Sequence, residues 1–124
     1  MALTIYHNPR CSKSRQTLGL IREAGIEPVV IEYLKNPPGT NEIIAIAKQL
    51  GSGVAGLLRR GEEEFRQASD LPALDDDRAL AAWLAEHPRV IQRPIVIDSA
   101  SGAAVLGRPP ENVSELLTSR NAQA

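Results

Sequence analysis

The chain has 124 residues, which suits one domain and leaves too little length for two. Hydrophobic residues make up 43% of it and charged residues 23%, a composition typical of globular proteins that excludes a disordered chain, a collagen and a coiled coil. The formal net charge of −1 lacks the basic excess of a nucleic-acid-binding protein. We therefore expect a single domain over residues 1–124 with no nucleic-acid partner.

The sequence contains neither a membrane span nor a secretory signal. No apolar run approaches the roughly 20 residues of a membrane span, and the first ten residues lack a basic stretch followed by an apolar one. We therefore expect a cytoplasmic protein with no membrane partner, and we expect it to be a monomer.

The first part of the chain predicts a βαβ unit. Residues 3–6 form an apolar run typical of a strand, and turn residues follow it. Residues 12–24 carry apolar side chains at helical spacing, and Gly25 is placed to end that helix. Residues 28–32 predict the next strand. Strands joined through a helix in this way run parallel.

The middle of the chain predicts helices. After a break at residues 35–39, Thr40 is a good N-cap for an amphipathic helix. Residues 54–60 predict a short helical segment, and the acidic residues 75–77 suit the start of a further helix. We expect these helices to form an insert at about residues 40–88.

The last part of the chain predicts two strands and a helix. Residues 94–98 and 103–106 have strand character and are joined by a hairpin-type turn. Pro109 and Pro110 suit the first turn of a final helix. The order βαβ, helices, ββα predicts an α/β fold: a thioredoxin-like domain with a four-stranded mixed sheet and a helical insertion between its two halves.

The chain has one cysteine, Cys11, at the boundary between the first strand and the first helix. It excludes an intramolecular disulfide and a zinc site of several cysteines, and we expect no bound metal. A lone cysteine is most often an inert core residue. A helix start, however, lowers thiol pKa values from ~8.5 into a range of roughly 3.5–7.5. Nearby cations and the C-x-x-S spacing to Ser14 add support, so we interpret Cys11 as a reactive thiol. Without a second cysteine, an external thiol must release any adduct on it.

Five short motifs carry a resemblance to a known family: TIYHNPRCSKSRQTL at 4–18, YLKNPP at 33–38, LLRR at 57–60, RPIVID at 93–98 and GRPPE at 107–111. The order of these motifs and the gaps between them resemble those in the glutaredoxin-coupled arsenate reductases and their close bacterial homologues. The likeness extends from residue 3 to about residue 117. It implies a thioredoxin-like fold with a helical insert, and reduction of arsenate to arsenite.

The resemblance also implies a set of site residues. Cys11 is the implied nucleophile. The implied oxyanion ligands are three arginines: Arg59, Arg93 and Arg108. Two further residues are implied to support the thiolate, His7 by lowering the thiol pKa and Ser14 by a hydrogen bond to the sulfur. Three guanidiniums would offset the repulsion between a thiolate and an arsenate anion.

Some of these assignments leave alternatives open. Only the motif match selects Arg59 over Arg60, which could both close a helix at the surface. His7 could instead cap the loop or the helix. The resemblance further implies a cis peptide bond between Arg93 and Pro94.

The implied reaction uses glutathione as a co-substrate and no bound cofactor. Cys11 attacks arsenate, glutathione attacks the adduct, and a glutaredoxin thiol removes the glutathione. Two alternatives stay open: a thiol-based redox regulator of the same fold that binds RNA polymerase, and a glutathione-linked thiol oxidoreductase with another substrate. Ser14 stands where such regulators carry a second cysteine, which argues against the first alternative. Arg10 and Lys13 depart from the small residues that the family carries beside the cysteine.

Overall fold

The computed structural model describes residues 3–117 of the chain. By its internal contacts the chain divides into two compact units, one made of residues up to 33 and from 93 onward, and the other of residues 34–92. The four strands belong to the first unit and the central helices to the second. The single domain expected over residues 1–124 stays a prediction, and both ends of that range lie outside the described residues.

The first unit contains one sheet and one long helix. Its elements are β1 (Leu3–His7), α1 (Ser12–Glu23), β2 (Val29–Glu32), β3 (Ile95–Asp98) and β4 (Ala104–Leu106). The strand order is β2-β1-β3-β4, with β1 and β2 parallel and the other two pairs antiparallel. The chain then forms a 3-10 turn at Pro110–Asn112, and residues 113–117 are helical. The predicted thioredoxin-like α/β fold with a four-stranded mixed sheet is confirmed.

An aliphatic core fastens α1 to the sheet. Side chains alternate between the two faces of a strand, so Leu3 and Ile5 of β1 share one face. They pack with Leu18 and Ile21, which lie one helical turn apart on α1, and with Val96 of β3. Complete burial of such a side chain stabilises the fold by about 1.5–3 kcal/mol. This core therefore holds α1 against the sheet.

The second unit is helical. Its elements are α2 (Thr40–Leu50), α3 (Glu63–Arg66), α4 (Asp77–Glu86) and two 3-10 turns at Val54–Leu57 and Pro88–Val90. Buried side chains on α2 and α4, among them Ile43 and Leu80, pack these two helices together. The predictions of α2 and α4 are confirmed, but the N-cap of α2 is Gly39, and Thr40 is the first residue inside the helix. No helix within residues 3–117 is long and apolar enough to cross a membrane.

Residues 54–60 differ from the prediction of one short helical segment. The 3-10 turn ends at Leu57, and Leu58 forms an antiparallel bridge with Ile91. The backbone N–H of Arg59 donates to the Val90 carbonyl at 2.6 Å, and that of Gln92 donates to the Leu57 carbonyl at 2.7 Å. Pairing with a distant segment therefore satisfies these backbone groups in place of a helix.

Candidate active site

A tight turn after β1 places Cys11 at the start of α1. The Asn8 side-chain oxygen accepts a hydrogen bond from the Arg10 N–H at 3.0 Å, and the Asn8 carbonyl accepts one from the Cys11 N–H at 3.0 Å. The Cys11 backbone is extended, as is usual for an N-cap residue, and its carbonyl accepts the Arg15 N–H of the first helical turn. Asn8 therefore fixes the loop and the backbone of Cys11 at the start of α1.

The start of α1 has no side-chain cap. Within the described chain, the Cys11 side chain forms no capping hydrogen bond, and the first turn carries no acidic residue. The first N–H groups of a helix have no partner inside it and create a positive potential there. The structure thus presents these groups to the thiol rather than to a carboxylate of the chain.

The Cys11 thiol is partly exposed and its pKa is shifted. Burial acts to raise this pKa, but the backbone N–H of Ser14, the Arg93 side chain and the backbone N–H of Lys13 outweigh it and bring the pKa below its ordinary value. A lower pKa increases the fraction of thiolate at neutral pH, and the thiolate is the nucleophilic form. The reactive-thiol interpretation therefore has a structural basis.

His7 and Ser14 form a buried hydrogen-bonded pair behind the loop. His7 Nδ1 and Ser14 Oγ are 2.6 Å apart, and the Asn8 N–H donates to the same oxygen at 3.0 Å. Burial lowers the pKa of His7, and two nearby arginines add to that shift, although the Glu32 carboxylate opposes it. His7 is therefore mostly neutral at pH 7, and it contacts Ser14.

The roles that the resemblance implies for His7 and Ser14 stay predictions. The structure gives each of them a definite position. His7 contacts the Ser14 hydroxyl, and the backbone N–H of Ser14 lowers the pKa of the Cys11 thiol. A neutral His7 would influence the thiol by holding the first turn of α1 rather than by its own charge.

Arg93 is the guanidinium that acts on the thiol. It lies two residues before the start of β3, and its side chain contributes to the lowered pKa of Cys11. The peptide bond between Arg93 and Pro94 is cis, which confirms that expectation. The fold thus brings Arg93 close to Cys11, although the two residues are far apart in the sequence.

Arg108 lies next to Arg93. Its Nη1 donates to the Arg93 carbonyl at 3.4 Å. The preceding Gly107 donates its N–H to the Pro94 carbonyl at 2.9 Å, and a Cβ on Gly107 would lie 2.5 Å from Thr17 Oγ1 and 2.7 Å from Pro94 Cγ. Only glycine fits there, so Gly107 allows the close approach that puts Arg108 beside Arg93.

Arg59 belongs to the second unit. Its guanidinium Nη1 is buried and has no hydrogen-bond partner among residues 3–117, whereas Arg60 is exposed. A buried charged donor without an acceptor in the protein lowers the stability of the fold. Such a donor is suited to a residue that binds an anion. This observation favours Arg59 over Arg60. Its membership of the anion site stays a prediction.

Two residues near the thiol were given no role from the sequence. Asn8 shapes the loop through both its backbone and its side chain. Tyr33 is buried immediately after β2, with Arg93 and Cys11 close enough to influence its pKa. Their positions in the sequence could have indicated a role. Each residue directly follows one of two parallel strands, at the end of the sheet where ligands bind in α/β folds.

Comparison with known proteins assigns the chain to a family. The model of the ArsC family matches residues 6–116. The chain belongs to the ArsC family. It is 42% identical over 118 residues to an arsenate reductase of Haemophilus influenzae, covering 94% of this chain and 100% of that one. It is 44% identical over 118 residues to an arsenate reductase of Rhizobium meliloti, covering 94% and 82%.

A solved structure agrees with this assignment. The arsenate reductase from Vibrio cholerae matches with a TM-score of 0.82 at 45% identity, over 93% of this chain and 97% of that one. The family resemblance carried by the five motifs is therefore confirmed.

The ArsC-family chain now has a site whose chemistry can be described. It combines a thiol of lowered pKa, the N–H groups of a helix start and the Arg93 side chain, and the Arg108 guanidinium contacts the Arg93 carbonyl. Such groups attract a tetrahedral oxyanion and hold it beside a nucleophile. In the described part of the chain, no group of three or more His, Cys, Asp or Glu side chains could hold a metal ion.

Proposed function

We propose that this ArsC-family protein reduces arsenate to arsenite, with Cys11 as the nucleophile and with glutathione and a glutaredoxin as the electron donors. The observation that carries the proposal is the lowered pKa of the Cys11 thiol at an uncapped helix start beside Arg93. The substrate is suggested by the relatives, since the proteins of Haemophilus influenzae and Rhizobium meliloti are named arsenate reductases.

Binding is the first requirement of this reaction. Arsenate carries close to two negative charges near neutral pH, so a thiolate and arsenate repel each other. Arg93 and Arg108 would offset that repulsion with fixed positive charge, and a guanidinium can hold two oxygens of one anion at once. We retain Arg59 as a third proposed ligand on the strength of the family resemblance. The first N–H groups of α1 would add a fourth source of positive potential.

The first chemical steps form two sulfur–arsenic bonds. The Cys11 thiolate attacks arsenic, an arsenic–oxygen bond breaks, and the departing oxygen leaves as water after taking up protons. Glutathione then attacks the same arsenic atom, and a second water leaves. Arsenic is still in the +5 state in this mixed adduct, because both steps exchange an oxygen ligand for a sulfur ligand.

Reduction follows when a glutaredoxin thiolate attacks the glutathione sulfur. A disulfide forms between glutaredoxin and glutathione, and the electron pair of the glutathione–arsenic bond stays on arsenic. Arsenic thereby becomes +3 and the two thiols are oxidised by two electrons in total. Water then displaces the Cys11 sulfur, which frees arsenite and regenerates the thiol. No second cysteine of this chain takes part, since Cys11 is the only one.

The proposal also places the reaction in the cytoplasm, in a monomer. Cytosolic glutathione and thioredoxin systems keep thiols reduced, and every step above needs reduced thiols. Glutathione acts as a co-substrate that is consumed, and no cofactor remains bound between turnovers.

A coupled assay tests the proposal on the pure protein. Arsenate, glutathione, a glutaredoxin, glutathione reductase and NADPH are combined, and NADPH oxidation is followed. We expect oxidation that requires arsenate and glutaredoxin. NADPH oxidation with a disulfide substrate but not with arsenate would instead favour a glutathione-linked oxidoreductase, and would contradict the proposal.

A further inference from the structure

Tyr33 has a buried hydroxyl that the proposed mechanism does not use. The side chain is 1% exposed, and its Oη has no hydrogen-bond partner among residues 3–117. Burial removes a hydroxyl from water, so one without a partner lowers the stability of the fold. Buried polar groups are paired in the great majority of cases, and an unpaired one calls for a physical reason.

The position of Tyr33 points to a ligand. It follows β2 directly, and β2 runs parallel to β1 with Glu32 opposite His7. Tyr33 and Asn8 are therefore the next residues beyond the same end of two neighbouring parallel strands. Ligands bind outside the carboxyl ends of parallel strands in α/β sheets.

The surroundings of Tyr33 are those of the reactive thiol. Burial raises the pKa of the Tyr33 phenol, and the Cys11 thiolate adds to the rise, while Arg93 and the Asn8 side chain oppose it. The net shift is upward, so the phenol keeps its proton at neutral pH and remains a donor. The Arg93 and Asn8 side chains are close enough to affect the phenol, yet Oη has hydrogen-bond geometry with neither of them.

We propose that the Tyr33 hydroxyl donates a hydrogen bond to an oxygen of the oxyanion bound at Cys11. This inference rests on the proposed function and adds a neutral donor to the charged arginines. The ligand class is a tetrahedral oxyanion, with arsenate as the substrate and sulfate as a probe of the same shape. A hydroxyl donor in a water-poor site stabilises negative charge on oxygen without bringing a charge of its own.

A competing role for Tyr33 is a hydrogen bond to the thiolate itself. The Cys11 thiolate contributes to the raised pKa of Tyr33, but Oη forms no hydrogen bond to the Cys11 sulfur in the described structure. The two roles differ in what the loss of the hydroxyl changes. Loss of a donor to the anion weakens anion binding, whereas loss of a donor to the thiolate raises the thiol pKa.

The experiment compares Tyr33→Phe with Tyr6→Phe, which removes the hydroxyl of the only other tyrosine. Tyr6 alternates with Ile5 along β1 and so faces away from α1. Alkylation of Cys11 by iodoacetamide is timed with increasing arsenate, and separately with sulfate. We expect Tyr33→Phe to need about tenfold more anion for half protection, the loss typical of one hydrogen bond to a charged group. Tyr6→Phe should match the wild type.

Two further readouts exclude a purely structural effect. The melting temperature of Tyr33→Phe should be no lower than that of the wild type, because the hydroxyl it loses has no protein partner. The pH profile of Cys11 alkylation without anion should be unchanged. A lower melting temperature would overturn the inference, and so would a raised thiol pKa with unchanged anion affinity.

The remaining outcomes separate this inference from the proposed function. If arsenate protects Tyr33→Phe and the wild type equally, Tyr33 does not contact the anion and the inference fails, while the proposed function stands. If neither arsenate nor sulfate protects wild-type Cys11 at any concentration, the anion site itself is absent and both proposals fail.

Discussion

Two helices of this protein begin in opposite ways. At the start of α4, the Asp76 side chain accepts the Ala79 N–H at 3.2 Å, and Asp77 adds a second carboxylate that accepts the Val54 N–H at 3.2 Å. At the start of α1, Cys11 takes the N-cap position with no capping hydrogen bond and no acidic residue in the first turn. A good N-cap stabilises a protein by about 1 kcal/mol. The start of α4 is therefore built for stability, and the start of α1 gives up that stability.

The uncapped start of α1 is suited to holding negative charge. Carboxylates at α4 occupy the positive end of that helix permanently. Cations surround the equivalent end of α1, where Lys13 and Arg15 lie in the first turn and Arg93 acts on the sulfur. An end left open and positive is available to a thiolate and to an incoming anion. Substitution of the N-cap of α1 should accordingly lower activity without lowering stability, and substitution of the N-cap of α4 should lower stability without lowering activity.

The largest effect is expected from Cys11→Ser. It removes the nucleophile, so arsenate turnover in the coupled assay should fall to the background rate. Serine is among the preferred N-cap residues, so the free energy of unfolding should rise by as much as about 1 kcal/mol. Urea denaturation measures the second quantity. Retained turnover, or a less stable protein, would contradict the contrast between the two helix starts.

Arg93→Ala should have the next largest effect. It removes a charge that lowers the thiol pKa, and it removes a proposed ligand of the anion. The arsenate concentration that half-protects Cys11 from alkylation should therefore rise at least about tenfold. Arg10→Ala is the matched control, because Arg10 also neighbours the cysteine but is exposed. An equal loss in both variants would mean that general positive charge, rather than a placed guanidinium, attracts the anion.

Asp76→Ala should have the smallest effect and only on stability. Loss of the cap at α4 should reduce the free energy of unfolding by about 1 kcal/mol, with arsenate turnover unchanged at a temperature where the variant is folded. Asp75→Ala is the control, since Asp75 is exposed and is not the N-cap of α4. A loss of turnover in Asp76→Ala alone would show that the capped start also serves the reaction.

Local patterns in the sequence predicted much of this structure. The apolar run at β1, the turn after it and the helical spacing of α1 together placed Cys11 at a helix start. These features depend on neighbours in the chain, which is why spacing and turn residues reveal them. The bounds of α1 and β2 differ from the predicted ones by a single residue.

Features that depend on distant contacts were not predicted. The pattern of residues 54–60 predicts a helical segment, but the 3-10 turn ends at Leu57 and the pairing of Leu58 with Ile91 makes the chain extended there. The short helix Glu63–Arg66 was not predicted as a separate element. The contact of Arg108 with the Arg93 carbonyl and the unpartnered hydroxyl of Tyr33 arise only when separate segments meet. Spacing along a chain carries no information of that kind.

The pH profile of Cys11 alkylation tests the central claim most directly. The alkylation rate follows the thiolate fraction, so it rises with pH and reaches half its plateau at the thiol pKa. We expect a midpoint below the ordinary thiol value, and slower alkylation when arsenate is present. A midpoint at or above the ordinary value, with a rate indifferent to arsenate, would contradict the claim.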